Sequence, residues 1–324
     1  MITMITEYIR TIILKKILFK KLDSSLPYVY ISDKELSNYN DSTLPLRDIL
    51  NFLIGNGSLI KRGSYYTLPY NSLNGDIIPS LLGVEYYTEY FPFLISNFDR
   101  VSGNVDEPRY NMYLSLRERY KYIANYWFSK EDAFANRVHS VFTSMKRENR
   151  MKLLIDDEEV IEIDVHQSQP SLFSYILESH IGNNIFSNIC KEQDIYEYIR
   201  LMFRLSDRDT AKKKLYYYLY GNTNELDRLF GEKVSMFLRE NKKGYNYDNP
   251  HTFVKTYSNI AYLLQKKEVE IMSSIWKELL RVNIPFITIH DGILVPISQR
   301  EIAYDIMLSE YTKHISYGRL KIKG

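Results

Sequence analysis

Hydrophobic and polar positions change period several times along the 324-residue chain, and each change predicts an element. EVIEIDV (159–165) alternates like a β-strand, and QPSLFSYILESHI after it has helical spacing with Pro170 as its starter. Helical spacing also runs through RYNMYLSLRERYKYIANYWF and the segment beyond it, through DIYEYIRLMFRL, and through RDTAKKKLYYYLYG (208–221). After a polar, loop-like stretch around ENKKGYNYDNPH it returns in the long SNIAYLLQKKEVEIMSSIWKELL. PFITIH and ILVPI are apolar runs parted by Asp-Gly, a strong hairpin signal. Helices packed on an antiparallel sheet predict an α+β fold.

Residues 1–105 read differently. They are rich in turn signals and carry no catalytic constellation, so a subdomain 1–105 and a chemistry-bearing domain 106–324 are expected. LRDILNFLIGNGSLIKRGSYYTL predicts a helix and then a hairpin, an order that suits a winged-helix-like module or an ordinary α+β surface subdomain. The opening MITMITEYIRTIILKKILFKKL breaks its apolar positions with lysines and reads as an amphipathic packing helix, not a signal peptide or membrane span.

Composition adds limits more than direction. Hydrophobic content of 45% and charged content of 25% are ordinary for a globular chain. The 29 tyrosines reflect an AT-rich genome or serve as stacking platforms for bases. A net charge of +2 gives no global basic field, so an anionic partner must be held by local patches. Two stand out: Arg137, Lys146, Arg147, Arg150 and Lys152 against the single acid Glu148, and Lys212 to Lys214. One cysteine, Cys190, excludes an intrachain disulfide and a CxxC zinc site and suits a reducing cytosol. A cytoplasmic protein of a bacterium, phage or mobile element, with no membrane partner, is expected.

Asp164 closes the alternating strand, and Asp291 sits at the hairpin turn after His290. Such aspartates are turn formers, or they are strand-borne ligands that converge to hold two magnesium ions for phosphoryl chemistry. In the basic helix, Arg208, Lys212 and Tyr216 recur every four residues and share a face, with Tyr220 further round and Gly221 at the end. That stripe suits a solvated basic surface. It suits equally a grip on triphosphate oxygens, the guanidinium as a fork and the ammonium as a point charge.

The order of these pieces resembles the family A DNA polymerases of bacteria and phages. Their fingers helix carries R-x3-K-x3-[F/Y]-x3-Y-G, and Arg208, Lys212, Tyr216, Tyr220 and Gly221 fill each position. IEIDVHQSQPSLF looks like the family's first catalytic motif and ITIHDGILV its last. The resemblance spans roughly residues 130–297 and implies a right-hand palm with reduced fingers. It implies Asp164 and Asp291 as catalytic metal ligands with the Val165 backbone, binding two Mg2+ ions (Mn2+ as a substitute). It implies Arg208, Lys212, Tyr216, Gln169 and Tyr196 around the nucleotide. Tyr220, Gly221, Gln265, Arg137 and His290 then face the primer–template.

Several positions depart from the family pattern. His166 replaces the usual Ser and Gln169 the usual Glu gate against a ribose 2′-hydroxyl, which leaves the choice of sugar open. Tyr196 stands where a triphosphate-contacting His is usual, and Gly292 where Glu or Ser follows the last Asp. The implied activity is magnesium-dependent DNA synthesis without proofreading, on a DNA primer–template or single-stranded template, from dNTPs with NTPs as the alternative. A primase or primase–polymerase that starts synthesis with a small accessory protein is the rival, and an inactive nucleic-acid-binding replication factor the third reading.

Overall fold

The computed structural model describes residues 89–119, 124–126, 128–132, 134–221, 223–242 and 259–323, with short pieces at 29–30, 51, 54–55, 60–62 and 65–67. The chain forms two compact units, Met1–Glu85 with Pro108–Lys130, and Tyr86–Glu107 with Glu131–Gly324. The first contains strands β1 (Val29–Tyr30), β2 (Ile60–Arg62) and β3 (Tyr65–Thr67) in an antiparallel sheet of order β1-β3-β2. Arg62 pairs with Tyr65, as the expected hairpin requires, and residues 51, 54 and 55 before it are helical. A helix, Pro108–Arg119, also belongs here; the Tyr113 hydroxyl on it donates to Asn125 Oδ1 at 2.9 Å. The amphipathic helix read over 1–22 and the loop-like residues 243–251 lie outside the described residues.

The second unit begins with helix α1 (Phe91–Ser96) and strand β4 (Val101–Ser102); the unit boundary falls within β5 (Ser129–Glu131). Next come β6 (Val138–Ser140), the short helices α2 (Val141–Ser144) and α3 (Arg147–Arg150), β7 (Leu154–Ile155) and β8 (Glu158–Val165). Sequence spacing extends helix beyond residue 128, but the backbone is extended at β5 and β6. Ser140 ends that extended stretch by capping α2, accepting from the Phe142 and Thr143 N–H groups.

β8 is the centre of an antiparallel sheet. β10 (Gly292–Pro296) runs along one side with β9 (Ile287–Ile289) beyond it. On the other side β7 pairs with the start of β8 and β11 (Leu320–Lys323) with its end, and β4 lies outside β7. The two faces of β8 differ, as the period of two dictates. Ile161 and Ile163 pair with Val295 and Ile293, all buried, and contribute about 1.5–3 kcal/mol per side chain. The other face sets Glu162 opposite Leu294 and Asp164 opposite Gly292.

Helices complete the α+β unit: α4 (Ser168–Ile181), α5 (Ile185–Glu192), α6 (Ile195–Met202), α7 (Arg208–Tyr220), α8 (Asp227–Phe230), α9 (Glu232–Asn241), α10 (Asn259–Arg281) and α11 (Arg300–His314). The long α10 packs against α4, α7, α9 and α11, and α6 against α7. α4 starts two residues before Pro170, after Gln167 in a left-handed conformation, so the proline sits inside the first turn where its missing N–H breaks no bond. No described helix is long and apolar enough to cross a membrane.

The β9–β10 turn is also shifted from its sequence reading. Ile289 pairs with Gly292, so the central residues are His290 and Asp291, with His290 at φ 54°. Gly292 serves close approach: a Cβ there would stand 2.8 Å from the Ile163 carbonyl oxygen and 3.3 Å from Asp164 Oδ1. Gly292→Ala is therefore expected to destabilise the protein by about 1–3 kcal/mol, read as a lower urea midpoint. An unchanged midpoint would mean that β8 and β10 separate at no cost.

Candidate active site

Asp164 is the penultimate residue of β8, and its register partner Gly292 directly follows Asp291. The Val165 N–H donates to the Asp291 carbonyl at 3.2 Å, closing the ladder at this end. Both aspartates are thereby brought to one end of the sheet's inner strands. Burial, and then the negative charges of Glu268 and Asp164, push the Asp291 carboxyl up to about 8.

The neighbouring acids are held by cations. Lys323 on β11 pairs with Asp164, and with Glu162 at 3.1 Å. Arg150 reaches Glu162 at 2.8 Å. Glu268, only 3% exposed on α10, lies 2.6 Å from the Arg137 guanidinium. Asp291 has no such partner among the described residues.

From Glu268 a bonded chain runs outward. Gln169 Nε2 on α4 donates to Glu268 Oε2 at 2.7 Å, and the Tyr220 hydroxyl on α7 donates to Gln169 Oε1 at 2.7 Å. An ionised carboxylate can only accept, so the Gln169 amide turns its nitrogen to Glu268 and leaves its oxygen for the Tyr220 hydroxyl. Arg137 and Gln169, far apart in sequence, thus meet at one buried carboxylate, and Tyr220 joins them through the amide.

α7 presents two kinds of face. Ala211, Leu215, Tyr218 and Leu219 are buried, whereas Arg208, Lys212, Tyr216 and Tyr220 are half-buried. The Arg208 guanidinium bonds Asp194 Oδ2 through Nη2 at 2.8 Å and Nε at 3.2 Å, and lies 4.6 Å over the Tyr196 ring. Asp194 also caps α6 through the Tyr196 and Glu197 N–H groups, and His166 Nε2 stands 3.2 Å away. Lys212 Nζ lies 5.5 Å over the Tyr216 ring, whose centroid is 5.8 Å from that of Tyr220.

The remaining residues singled out by sequence are placed as follows. His290 lies beside Asp291 with its ring 5.3 Å from that of His139; burial and the charges of Arg137 and His139 pull it down to about 4. It is therefore neutral at pH 7. Gly221 is the C-cap of α7, and its carbonyl accepts from Lys242 at 2.7 Å. Gln265 is half-buried on α10, one turn before Glu268, and stays outside the bonded chain.

Sequence reasoning missed Glu268, Asp194, Glu162 and the lysines of β11. Glu268 leaves a trace, because it is the one acid on the stripe Leu264, Ile271, Met272 and Ile275 that α10 buries. The β11 lysines leave none, since their place depends on a pairing 160 residues or so along the chain, and loop closure of that length has no local pattern.

Among the described residues, no three His, Cys, Asp or Glu side chains form a cation cage. The donor set still fits a magnesium ion, which takes few carboxylates and completes its shell with phosphate and water. The crowding that disfavours ionised Asp291 is what a divalent cation would relieve.

No family model matches the chain, and no curated protein matches it. Among solved structures it is similar to the polymerase domain of Pol1 from M. smegmatis in complex with DNA primer–template and dNTP. The two share 10% identity with a TM-score of 0.41, over 67% of this chain and 55% of the other. The chain thus spans just over half of that structure, and similarity at this level does not define a family. Fold and site together define an α+β protein in which a strand-borne aspartate and a turn aspartate stand at one end of the sheet, within electrostatic reach of a buried glutamate that is hydrogen-bonded through Gln169 to a basic, tyrosine-rich helix.

Two outcomes follow from the geometry. Glu268→Ala leaves Arg137 without its buried partner and is expected to cost about 3–5 kcal/mol, whereas Glu301→Ala, removing an exposed pair with Arg300, should cost under about 1 kcal/mol. Equal losses in denaturant unfolding would show that Glu268 is not the buried anchor. The second concerns acid. Burial alone would raise Asp194, but the bonds from His166, Arg208 and the Glu197 N–H outweigh it and hold the carboxyl well below its usual range. A depressed folded value gives stability that is present above the unfolded value near about 4 and is lost as pH falls through the folded one. Asp194→Asn should therefore flatten the stability loss below about pH 4; an unaltered acid profile would contradict the pairing.

Proposed function

We propose that this chain is a magnesium-dependent, template-directed DNA polymerase without proofreading. The observation that supports this reading most is the bonded chain Glu268–Gln169–Tyr220, which joins the buried acid whose charge acts on Asp291 to the helix bearing Arg208 and Lys212. The order of the motifs supports it independently. Asp164 and Asp291, with the Val165 carbonyl, would hold two Mg2+ ions. When bound, such ions supply charge stabilisation at the attacking 3′-hydroxyl and the departing pyrophosphate.

The chain's own groups do the rest. Lys212 meets the triphosphate as a point charge, and Arg208 offers it the guanidinium donors that Asp194 leaves free. Tyr216 and Tyr220 set the shape of the nascent pair, with Tyr196 beneath Arg208 closing the pocket. Arg137, Gln265 and Gly221 face the primer–template, where Arg137 is kept in place by Glu268. His290, neutral at pH 7, adds no charge beside Asp291.

One observation favours primer synthesis with ribonucleotides as the second reading. The residue at the sugar gate, Gln169, is an amide whose Nε2 keeps a second N–H beyond its bond to Glu268, a donor for a 2′-hydroxyl oxygen that a carboxylate would not offer.

A single set of reactions tests both: dNTPs and NTPs, each with and without primer, on a single-stranded template. Extension only with primer and dNTPs is expected, and product without primer would establish the second reading. Asp164→Asn and Asp291→Asn should each lower incorporation by about a thousandfold, the several kcal/mol that metal-borne charge stabilisation is worth, while DNA binding is retained. Undiminished incorporation by either variant would refute its assignment.

A further inference from the structure

β11 carries charge onto the carboxylate face in a way the polymerase motifs do not describe. It pairs antiparallel with β8, setting Lys321 opposite Asp164 and Lys323 opposite Glu162. Lys323 bonds both of those carboxylates, which fixes the face to which the strand's odd residues point. Lys321, two residues away, points to the same face by the period of the strand.

The two lysines differ in what holds them. Lys323 is committed to Asp164 and Glu162, and Arg208 across the site is committed to Asp194. Lys321 is half-buried and takes part in no ion pair among the described residues. Burial and the nearby Arg208 and Lys323 charges disfavour its protonated form, while Asp194 and Asp164 favour it. A partly desolvated ammonium that feels two other cations, with its neighbouring acids already paired, is arranged to receive an anion that arrives from solvent.

We propose that Lys321 is a phosphate ligand, binding the polyphosphate tail of the incoming nucleotide from the sheet side while Lys212 binds it from α7. This rests on the polymerase reading above, and it adds to that reading a contact contributed by β11. The ammonium donates to a non-bridging phosphate oxygen, so Lys321 touches substrate in its own right.

Lys321→Met keeps the aliphatic stem and removes the charge; Lys321→Gln is a second neutral form and Lys321→Arg restores the cation. The full-length protein is assayed for nucleotide KM and kcat in primer extension and for inhibition by inorganic tripolyphosphate, with unfolding midpoints as a control on folding. The neutral variants are expected to raise KM and the tripolyphosphate inhibition constant by about tenfold, the loss of one charge-assisted bond, with Lys321→Arg recovering most of it and midpoints unmoved. Unchanged values in both neutral variants of an active protein overturn this inference alone. A wild-type protein that neither incorporates nucleotide nor binds tripolyphosphate overturns the polymerase reading and this inference with it.

Discussion

The site depends on one carboxylate kept almost entirely from water. Burying the Glu268 charge costs several kcal/mol, and that cost is offset only if the carboxylate is well bonded. Arg137 and Gln169 provide the bonds, and Tyr220 extends them by one residue. The segment before β6 and the helices α4, α7 and α10 are therefore fixed to one another by a polar centre as well as by apolar packing. A leucine at this position would bury as much surface with no desolvation, but it would leave a guanidinium and an amide without acceptors. The carboxylate is what gives those groups a single direction.

The sheet supplies the second constraint. Because strand side chains alternate, the pairing that buries Ile161 and Ile163 against Val295 and Ile293 necessarily sets Asp164 against Gly292. A slip of one residue would expose the core face and scatter the charged one. Asp164 and Glu162 on that face, and Glu268 on α10, each have a cation, and Asp291 has none among the described residues. The imbalance is local, in a chain whose net charge is only +2. It falls on Asp291, whose carboxyl is pushed up to about 8 and so holds its proton near neutral pH unless a cation arrives.

Much of this was legible in the sequence, for reasons that can be traced to particular residues. β8 and the β9–β10 hairpin carry alternating or apolar runs, and α7 carries a four-residue stripe that the fold keeps half-buried as one face. These are local signals. The turn was misplaced by one residue because Asp-Gly is a strong turn pair, yet Gly292 is needed for its missing Cβ and His290 takes the positive φ. Helix was read too far beyond residue 128 because the capping of α2 by Ser140 sits after an extended stretch that periodicity does not mark. Long-range pairings were invisible: Arg137 with Glu268 and β11 with β8 join segments whose own patterns say nothing of each other.

The departure at Gln169 is best understood together with Glu268. In the family that the motifs resemble, the gate residue carries a negative charge; here the corresponding position is a neutral amide, and a charge lies one bond further back on α10. Moving the charge inward changes what the gate can do. A glutamate at position 169 would face Glu268 as a like charge, so one of the two would have to bind a proton. The amide avoids that conflict by donating to Glu268 and accepting from Tyr220 at once. Reversing it would set the amide oxygen against the buried Glu268 carboxylate and lose that bond. Gln169 is thus held in place without being anionic, and under the proposed polymerase reading any discrimination it exerts against a sugar hydroxyl comes from its bulk and fixed position rather than from charge.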